Sequence, residues 1–187
     1  MEPIDIFQQA VNQTGRIVAG VKPEQFTNAT PCTDWDVRAL LNHTIAAVQM
    51  FDGAARGEAF DGSIFAMDNV GDNPEAAYDA RATGLRDALA KPGVLDAMWN
   101  MPFGTVPGQM AIGFATLELA QHGWDVARAT GQQPDFDTDV TETALTTARM
   151  AGDQIRVPGV FGPETPCAPN APAADRLAAF VGRNVSS

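Results

Sequence analysis

The sequence predicts an all-α protein, a four-helix bundle with an additional short helix and two long loops. Three observations favour this class. Apolar residues recur at helical spacing along several segments. Capping residues, prolines and glycines stand at the ends of those segments. Apolar residues also make up 45% of 187 residues, which is enough to bury one core, and we detect no internal repeat. We therefore expect residues 1–187 to form a single domain.

The first helix is predicted from its start, its apolar face and its end. Pro3 suits an early helical position, because a proline there gives up no hydrogen bond. Ile4, Phe7 and Val11 follow at the spacing of one buried face. Gly20 is expected to end the helix.

The second helix has the clearest pattern. We expect Thr33 to cap it, with Asp34 and Asp36 in the first turn, where the helix dipole favours negative charge. A broad apolar stripe then runs from Val37 to about Ala55.

The same signals predict three further helices and a short final one. Their expected ranges are about 74–91, beginning after Asn73, then 108–130, closed by Gly131, then 137–154 and 173–181. The connections 57–73 and 92–107 are long for a compact protein, and loops of that length tend to be functional. Residues 98–104 are expected to form a short strand or lid, and either connection can cover a site at one end of the bundle.

Composition excludes several classes of partner. The net charge is −11, from 12 basic and 23 acidic residues, so we expect neither nucleic acid nor an anionic membrane as a partner. No apolar run approaches the roughly 20 residues of a membrane span, and the first residues do not have the pattern of a signal peptide. Cys32 and Cys167 do not form a disulfide framework. We predict a cytoplasmic protein without a disulfide.

The chain has only two histidines, and one of them has a carboxylate at helical spacing. Glu118 and His122 are four residues apart, so they share one helix face with Cβ atoms about 5–6 Å apart. With His43 from a neighbouring helix, the set becomes two histidines and one carboxylate. That set is typical of catalytic zinc, and in a facial arrangement it also suits non-haem iron. We take zinc as the default, with nickel or another divalent metal as an alternative.

The environment of Glu118 favours this interpretation. The predicted fourth helix is apolar on nearly every side, and Glu118 is the only charge between Met110 and Trp124. An ionised carboxylate in an apolar interior needs compensation, which a metal ion provides. The alternatives are a buried ion pair with His122 or with an arginine, and, for His43, a hydrogen-bonded core histidine. An all-round apolar helix is also compatible with a homodimer interface.

Other residues near these motifs have two interpretations each. Cys32 lies just before a helix, where it is either a reactive thiol or fourth ligand, or a small buried residue in a turn. We expect Trp35 and Trp124 to pack rather than to bind substrate. Asp125 and Arg128 follow His122 by one and two turns, and they either support it or pair with each other.

Two segments resemble a known family. Residues 30–43, TPCTDWDVRALLNH, resemble the segment that carries the first histidine in the mycothiol-dependent maleylpyruvate isomerase N-terminal family, part of the DinB-like superfamily. Residues 118–131, ELAQHGWDVARATG, resemble the segment that carries its other two ligands. The tail, around residues 161–163 and 171–177, is similar to that of a single-domain metal-binding branch.

The resemblance implies a DinB-like bundle and a metal held by His43, Glu118 and His122. It also implies a low-molecular-weight thiol, of the mycothiol or bacillithiol type, as cofactor, with a small molecule as substrate of a transfer or isomerisation. The isomerase has a further C-terminal domain that contributes to its activity, and we expect no counterpart here, so its own reaction is not carried over. We assign no general acid or base; Asp34, Asp36 and Asp125 are candidates only by proximity. A metal-dependent hydrolase and a non-catalytic metal- or ligand-binding bundle are the alternatives.

Overall fold

The computed structural model describes residues 1–185, and α-helices make up most of it. The helices are α1 (Pro3–Ala19), α2 (Val37–Ala55), α3 (Pro74–Leu89), α4 (Gly108–Thr130), α5 (Thr138–Ala151) and α6 (Ala173–Phe180). One antiparallel hairpin, β1 (Met98–Met101) and β2 (Gly104–Pro107), lies between α3 and α4. The prediction of an all-α, DinB-like fold is confirmed, since this hairpin is the only sheet among the described residues.

Helices α1 to α4 form the bundle. α1 packs against α3 and α4, and α2 packs against the same two helices from the other side. α5 then packs on α4, and α6 packs on α5 and α4, so two helices rather than one are added to the bundle. α4 is therefore in contact with α1, α2, α5 and α6, which explains why its sequence is apolar on nearly every side.

Local signals set most helix boundaries. α1 begins at Pro3 and is followed by Gly20, and α4 ends at Gly131, whose φ of 72° is the left-handed conformation that glycine adopts readily. α3 begins after Asn73, whose side chain accepts a hydrogen bond from the Ala76 N–H. α3 and α5 are each two or three residues shorter at the carboxyl end than predicted, and a 3₁₀ turn (Gly152–Ile155) follows α5.

The predicted cap of α2 was wrong. Asp36, not Thr33, caps this helix, because its carboxylate accepts a 2.8 Å hydrogen bond from the N–H of Ala39. The reason is a preceding turn in which the Trp35 N–H donates to the Cys32 carbonyl at 2.9 Å. The chain cannot enter helical geometry until that turn is complete.

Both long connections contain short structure. The first includes a 3₁₀ turn (Gly62–Ala66), and the second includes the hairpin. The hairpin is anchored by Trp99, which is buried and donates from Nε1 to the Val94 carbonyl at 3.0 Å. Phe65 of the first connection and Phe103 of the second line one cavity, so the two connections meet at the same end of the bundle.

No helix between residues 1 and 185 combines the length and the apolar character that crossing a membrane requires. A cytoplasmic location, a single domain over residues 1–187 and a homodimer stay predictions.

Candidate metal centre

The three predicted ligands come from two neighbouring helices of the bundle, α2 and α4. His43 lies in the second turn of α2, and Glu118 and His122 lie one turn apart on α4. His43 and Glu118 are partly exposed, with 19% and 18% of their side chains accessible, whereas His122 is fully buried. The cluster therefore has one buried side and one side that reaches solvent.

The donor atoms of these residues converge. The Nε2 atom of His43 lies 2.5 Å from Oε1 of Glu118, and the Nε2 atom of His122 lies 3.3 Å from the same oxygen. All three donor atoms lie within 4.8 Å of one another. A tetrahedral zinc with bonds near 2.0–2.2 Å holds adjacent donor atoms about 3.3 Å apart. One of the two contacts already has that spacing, and the other needs to open by about 0.8 Å.

The buried side of the cluster contains a nitrogen without a hydrogen-bond partner. Nε2 of His122 is inaccessible to solvent, and its 3.3 Å approach to Glu118 is too poorly aligned to count as a hydrogen bond. Buried polar atoms in native proteins are nearly always satisfied. The other ring nitrogen, Nδ1, is 3.1 Å from Oδ2 of Asp125. A histidine held in this way at Nδ1 presents Nε2 to a ligand, as metal-binding histidines do.

Asp125 is the centre of a buried polar network behind His122. Its Oδ1 accepts hydrogen bonds from Gln121 at 3.1 Å and from Nε of Arg183 at 2.9 Å. Its Oδ2 lies 3.1 Å from His122 Nδ1 and accepts from Nη2 of Arg183 at 2.8 Å. Burial raises the pKa of Asp125, but the hydrogen bonds to His122 and Arg183 hold it below its ordinary value. The carboxylate is therefore ionised and fixes the imidazole of His122.

The carboxylate of Glu118 and the two histidines attract each other electrostatically. Burial raises the pKa of Glu118, but the charges of His122 and His43 outweigh that effect and hold it below its ordinary value. Burial lowers the pKa of His122, yet the charge of Glu118 and the hydrogen bond to Asp125 raise it well above its ordinary value. The site thus favours an anionic carboxylate beside a cationic partner, a role that a divalent metal also fills.

A second cluster shares His122 but is already occupied by a cation. Donor atoms of Cys32, His122 and Asp125 lie within 4.8 Å of one another. The Arg183 guanidinium sits among them, 3.0 Å from the Cys32 sulfur and hydrogen-bonded to Asp125. Within residues 1–185 no fourth protein ligand joins His43, Glu118 and His122. A metal there would have an open coordination position, which is typical of catalytic zinc.

Aromatic side chains surround the histidines, and a cavity lies beside them. The Trp35 ring is 4.5 Å from the ring of His43, and the Phe161 ring stacks on His122 at 5.6 Å between centroids. The cavity has a volume of about 420 Å³, and His43 and Glu118 form part of its wall. The partly exposed side of the cluster therefore opens into a space large enough for a small molecule.

The model for the mycothiol maleylpyruvate isomerase N-terminal domain matches residues 7–127, about two thirds of the chain. This chain belongs to that family. Two curated proteins similar to this chain come from Mycobacterium tuberculosis, the uncharacterized proteins Rv0738 of strain H37Rv and MT0763 of strain CDC 1551. Each is 35% identical to this chain over 187 residues, which cover 99% of it and the whole of the relative.

Solved structures with the same fold include one enzyme and its mutant. The crystal structure of the mycothiol-dependent maleylpyruvate isomerase superposes with a TM-score of 0.58 at 15% identity, covering 79% of this chain and 68% of the enzyme. A histidine-to-alanine mutant of that enzyme superposes with a TM-score of 0.56 at 16% identity, with the same coverage. At such identities the similarity shows the fold alone.

In this member of the mycothiol maleylpyruvate isomerase N-terminal family, the structure distinguishes between alternatives that the sequence left open. Asp125 supports His122 but pairs with Arg183, and Arg128 instead lies 5.4 Å from the Trp124 ring. Cys32 is buried, and it contacts Arg183 rather than joining the three predicted ligands. The structure therefore favours the interpretation of Cys32 as a small buried residue in a turn.

Neither Asp36 nor Asp125 lines the cavity, since one caps α2 and the other is buried behind His122. Asp34 is not among the lining residues either. Arg183 and Phe161 lie in the tail that follows α5, and neither was expected at the site. Phe161 belongs to a segment that resembles the tail of the family branch, but no local pattern shows that either side chain reaches the site, because each does so only through the path of that tail.

Proposed function

We propose that this protein is a metal-dependent enzyme that uses a low-molecular-weight thiol, of the mycothiol or bacillithiol type, in a transfer or isomerisation. His43, Glu118 and His122 would hold one divalent metal, with zinc as the first choice. The observation that carries the proposal is the unpartnered Nε2 of His122, which is buried at the point where two other donor atoms converge. The family membership supports the thiol, since the family is named for a mycothiol-dependent isomerase.

The chemistry of the donor set fits the proposed cofactor. A bound divalent metal would supply a positive charge that favours the thiolate over the thiol. The chain's own residues prepare for this. Asp125 fixes the His122 ring through Nδ1, and Phe161 covers the outer face of that ring. Trp35 packs against His43, with 4.5 Å between the two ring centroids.

The proposal stops short of maleylpyruvate as the substrate. That compound is named for a structural neighbour of only 15% identity, and this chain covers 68% of the neighbour. The family match itself ends at residue 127, before the tail that completes the cavity. We therefore propose the cofactors and the type of chemistry, and we do not propose maleylpyruvate isomerisation for this chain.

A test of the metal site compares two carboxylate-to-amide variants. Glu118→Gln should lose most of the bound metal in the purified protein, because it removes the anionic ligand. Glu58→Gln is a matched control, since Glu58 is exposed and lies outside the three-residue cluster. We expect the control to retain metal at the level of the unmodified protein. Equal metal content in all three proteins would refute Glu118 as a ligand.

A test of the thiol replaces the metal by cobalt, whose near-ultraviolet absorption changes when sulfur coordinates it. We expect a new charge-transfer band on adding mycothiol or bacillithiol, and a rise in melting temperature with the same thiol. A cobalt protein whose spectrum is unchanged by every thiol contradicts the thiol proposal. Hydrolysis of an ester or amide without any thiol would instead support the hydrolase, and a closed four-ligand site would support a non-catalytic bundle.

A further inference from the structure

We propose that the part of the substrate that lies away from the metal ligands is uncharged and apolar, so that the enzyme acts on a hydrophobic organic molecule rather than a dicarboxylate. The inference rests on the proposed function, because it concerns the substrate of the same site. It is drawn from the wall of the 420 Å³ cavity, whose volume falls within the range of about 300–1,000 Å³ that is usual for small-molecule sites.

The wall of this cavity is built almost entirely from apolar side chains. They come from α2, α4, both long connections and the tail after α5, and they include Met50, Phe51, Phe65, Met101, Phe103, Phe114, Leu117, Val157, Val160 and Phe161. The polar side chains on the wall are His43, Glu118 and Gln154. The first two are the proposed metal ligands, so Gln154 alone is left for polar contact with the remainder of a substrate.

No lysine or arginine lines the cavity within the described part of the chain. Two arginines lie nearby, but both are engaged elsewhere. Arg183 forms its ion pair with Asp125, and Arg156 donates from Nη1 to the carbonyls of Gly162 and Phe180, at 2.6 and 2.7 Å. A dicarboxylate could place one anionic group near the metal, but its second group would lie against apolar side chains. Burying a carboxylate without a partner is strongly unfavourable.

The rim of the cavity is also apolar, although it faces solvent. Phe103, at the tip of the hairpin, is 58% exposed, and its ring lies 5.0 Å from that of Phe114. Val157, in the segment that follows α5, also lines the cavity and is 48% exposed. Exposed apolar side chains at the mouth of an apolar cavity favour the entry of an apolar ligand. A charged substrate would gain nothing from such an entrance.

The test measures binding without turnover and without a thiol. The uncharged fluorescent probe N-phenyl-1-naphthylamine is bound to the full-length, metal-loaded protein, and then displaced by either dimethyl phthalate or phthalate. These two compounds share one ring and differ in charge. We expect the diester to displace the probe at a concentration at least about tenfold lower than the dianion. We expect the same preference after removal of the metal, because the apolar wall belongs to the chain itself.

A pair of lysine variants shows whether the probe occupies this cavity. Val157→Lys places a cation at the rim of the cavity, so it should weaken binding of the probe. It should also reduce the preference for the diester over phthalate by at least about threefold. Met150→Lys is the matched control, since Met150 is 82% exposed and does not line the cavity. It should bind as the unmodified protein does.

Three outcomes would overturn the inference: no probe binding, displacement by phthalate as effective as by its diester, or equal effects of the two lysine substitutions. None of them bears on the metal or on the thiol. Conversely, if no thiol changes the cobalt spectrum but the diester still displaces the probe better than phthalate, the apolar site is supported and only the proposed thiol-dependent function is refuted.

Discussion

Asp125→Asn tests the buried network that fixes His122, and its effects can be worked out atom by atom. Each carboxylate oxygen of Asp125 has two donors, with Gln121 and Arg183 at Oδ1, and His122 and Arg183 at Oδ2. The asparagine side chain has one acceptor oxygen and one NH₂ group. Its NH₂ group would therefore stand where one carboxylate oxygen now accepts two hydrogen bonds, and both of those bonds would be lost. The substitution also leaves the buried Arg183 guanidinium without its counter-charge.

Two consequences follow from this arrangement. Loss of two charge-assisted hydrogen bonds, at roughly 1.5–3 kcal/mol each, gives an expected loss of about 3–6 kcal/mol in the free energy of unfolding. His122 also loses the partner that directs its Nε2, so metal affinity should fall by about 10–100-fold. Chemical denaturation measures the first effect, and competition with a chromophoric chelator measures the second, under conditions where circular dichroism shows a folded protein.

Asp175→Asn is the matched control for this prediction. Asp175 accepts a 3.1 Å hydrogen bond from Nε1 of Trp124 through one oxygen, and asparagine keeps an acceptor for it. Metal affinity in the control should stay within about threefold of the unmodified protein. If Asp125→Asn also keeps its affinity within that range, Asp125 does not orient His122, and the reasoning about the network is wrong.

Three further predictions concern protons, packing and thiols. The pKa of His122 is raised above its ordinary value of 6.5, so a metal must displace a proton from this side chain near neutral pH. Chelator competition should therefore show metal affinity rising about tenfold per pH unit from pH 6.5 up to the raised pKa. A metal affinity that does not change with pH would contradict this. Gly123→Ala places a Cβ 2.6 Å from Cζ of Phe136, so denaturation should show a loss of about 1–3 kcal/mol in unfolding free energy, and an unchanged midpoint would contradict the crowding. Mass measurement without reductant should find free thiols at Cys32 and Cys167, and a loss of two protons would show a disulfide.

The helices and the ligand set were accessible from the sequence because both depend on short-range patterns. Pro3, Asn73 and Gly131 mark helix ends through their own backbone preferences. Glu118 and His122 meet because helical geometry places residues four apart on one face. His43 was the only other histidine, so the choice of a third ligand was narrow.

The two long connections were expected to cover a site at one end of the bundle, but the full network and the complete cavity wall were not accessible, because they also depend on the path of irregular segments. Arg183 pairs with Asp125 across 58 residues of sequence. Phe65, Phe103 and Phe161 belong to three different connections and meet at one wall. Irregular segments have no periodicity that would indicate which side chains turn inward. A single sequence therefore predicted that His43, Glu118 and His122 come together better than it predicted the surroundings of this cluster.

The region that matches the family model contains the three predicted ligands but only part of the cavity wall. The predicted ligands lie on α2 and α4, inside the region 7–127 that matches the family model. Val157, Val160 and Phe161, which complete the cavity, and Arg183, which holds Asp125, all lie beyond residue 127. Connections vary more readily than the helices they join, and substrates are selected by the groups that line a site rather than by the fold. A member of this family can therefore keep this three-residue cluster while a different tail changes the cavity beside it, and the apolar wall of this cavity is better evidence on what the site binds than a fold shared at 15% identity.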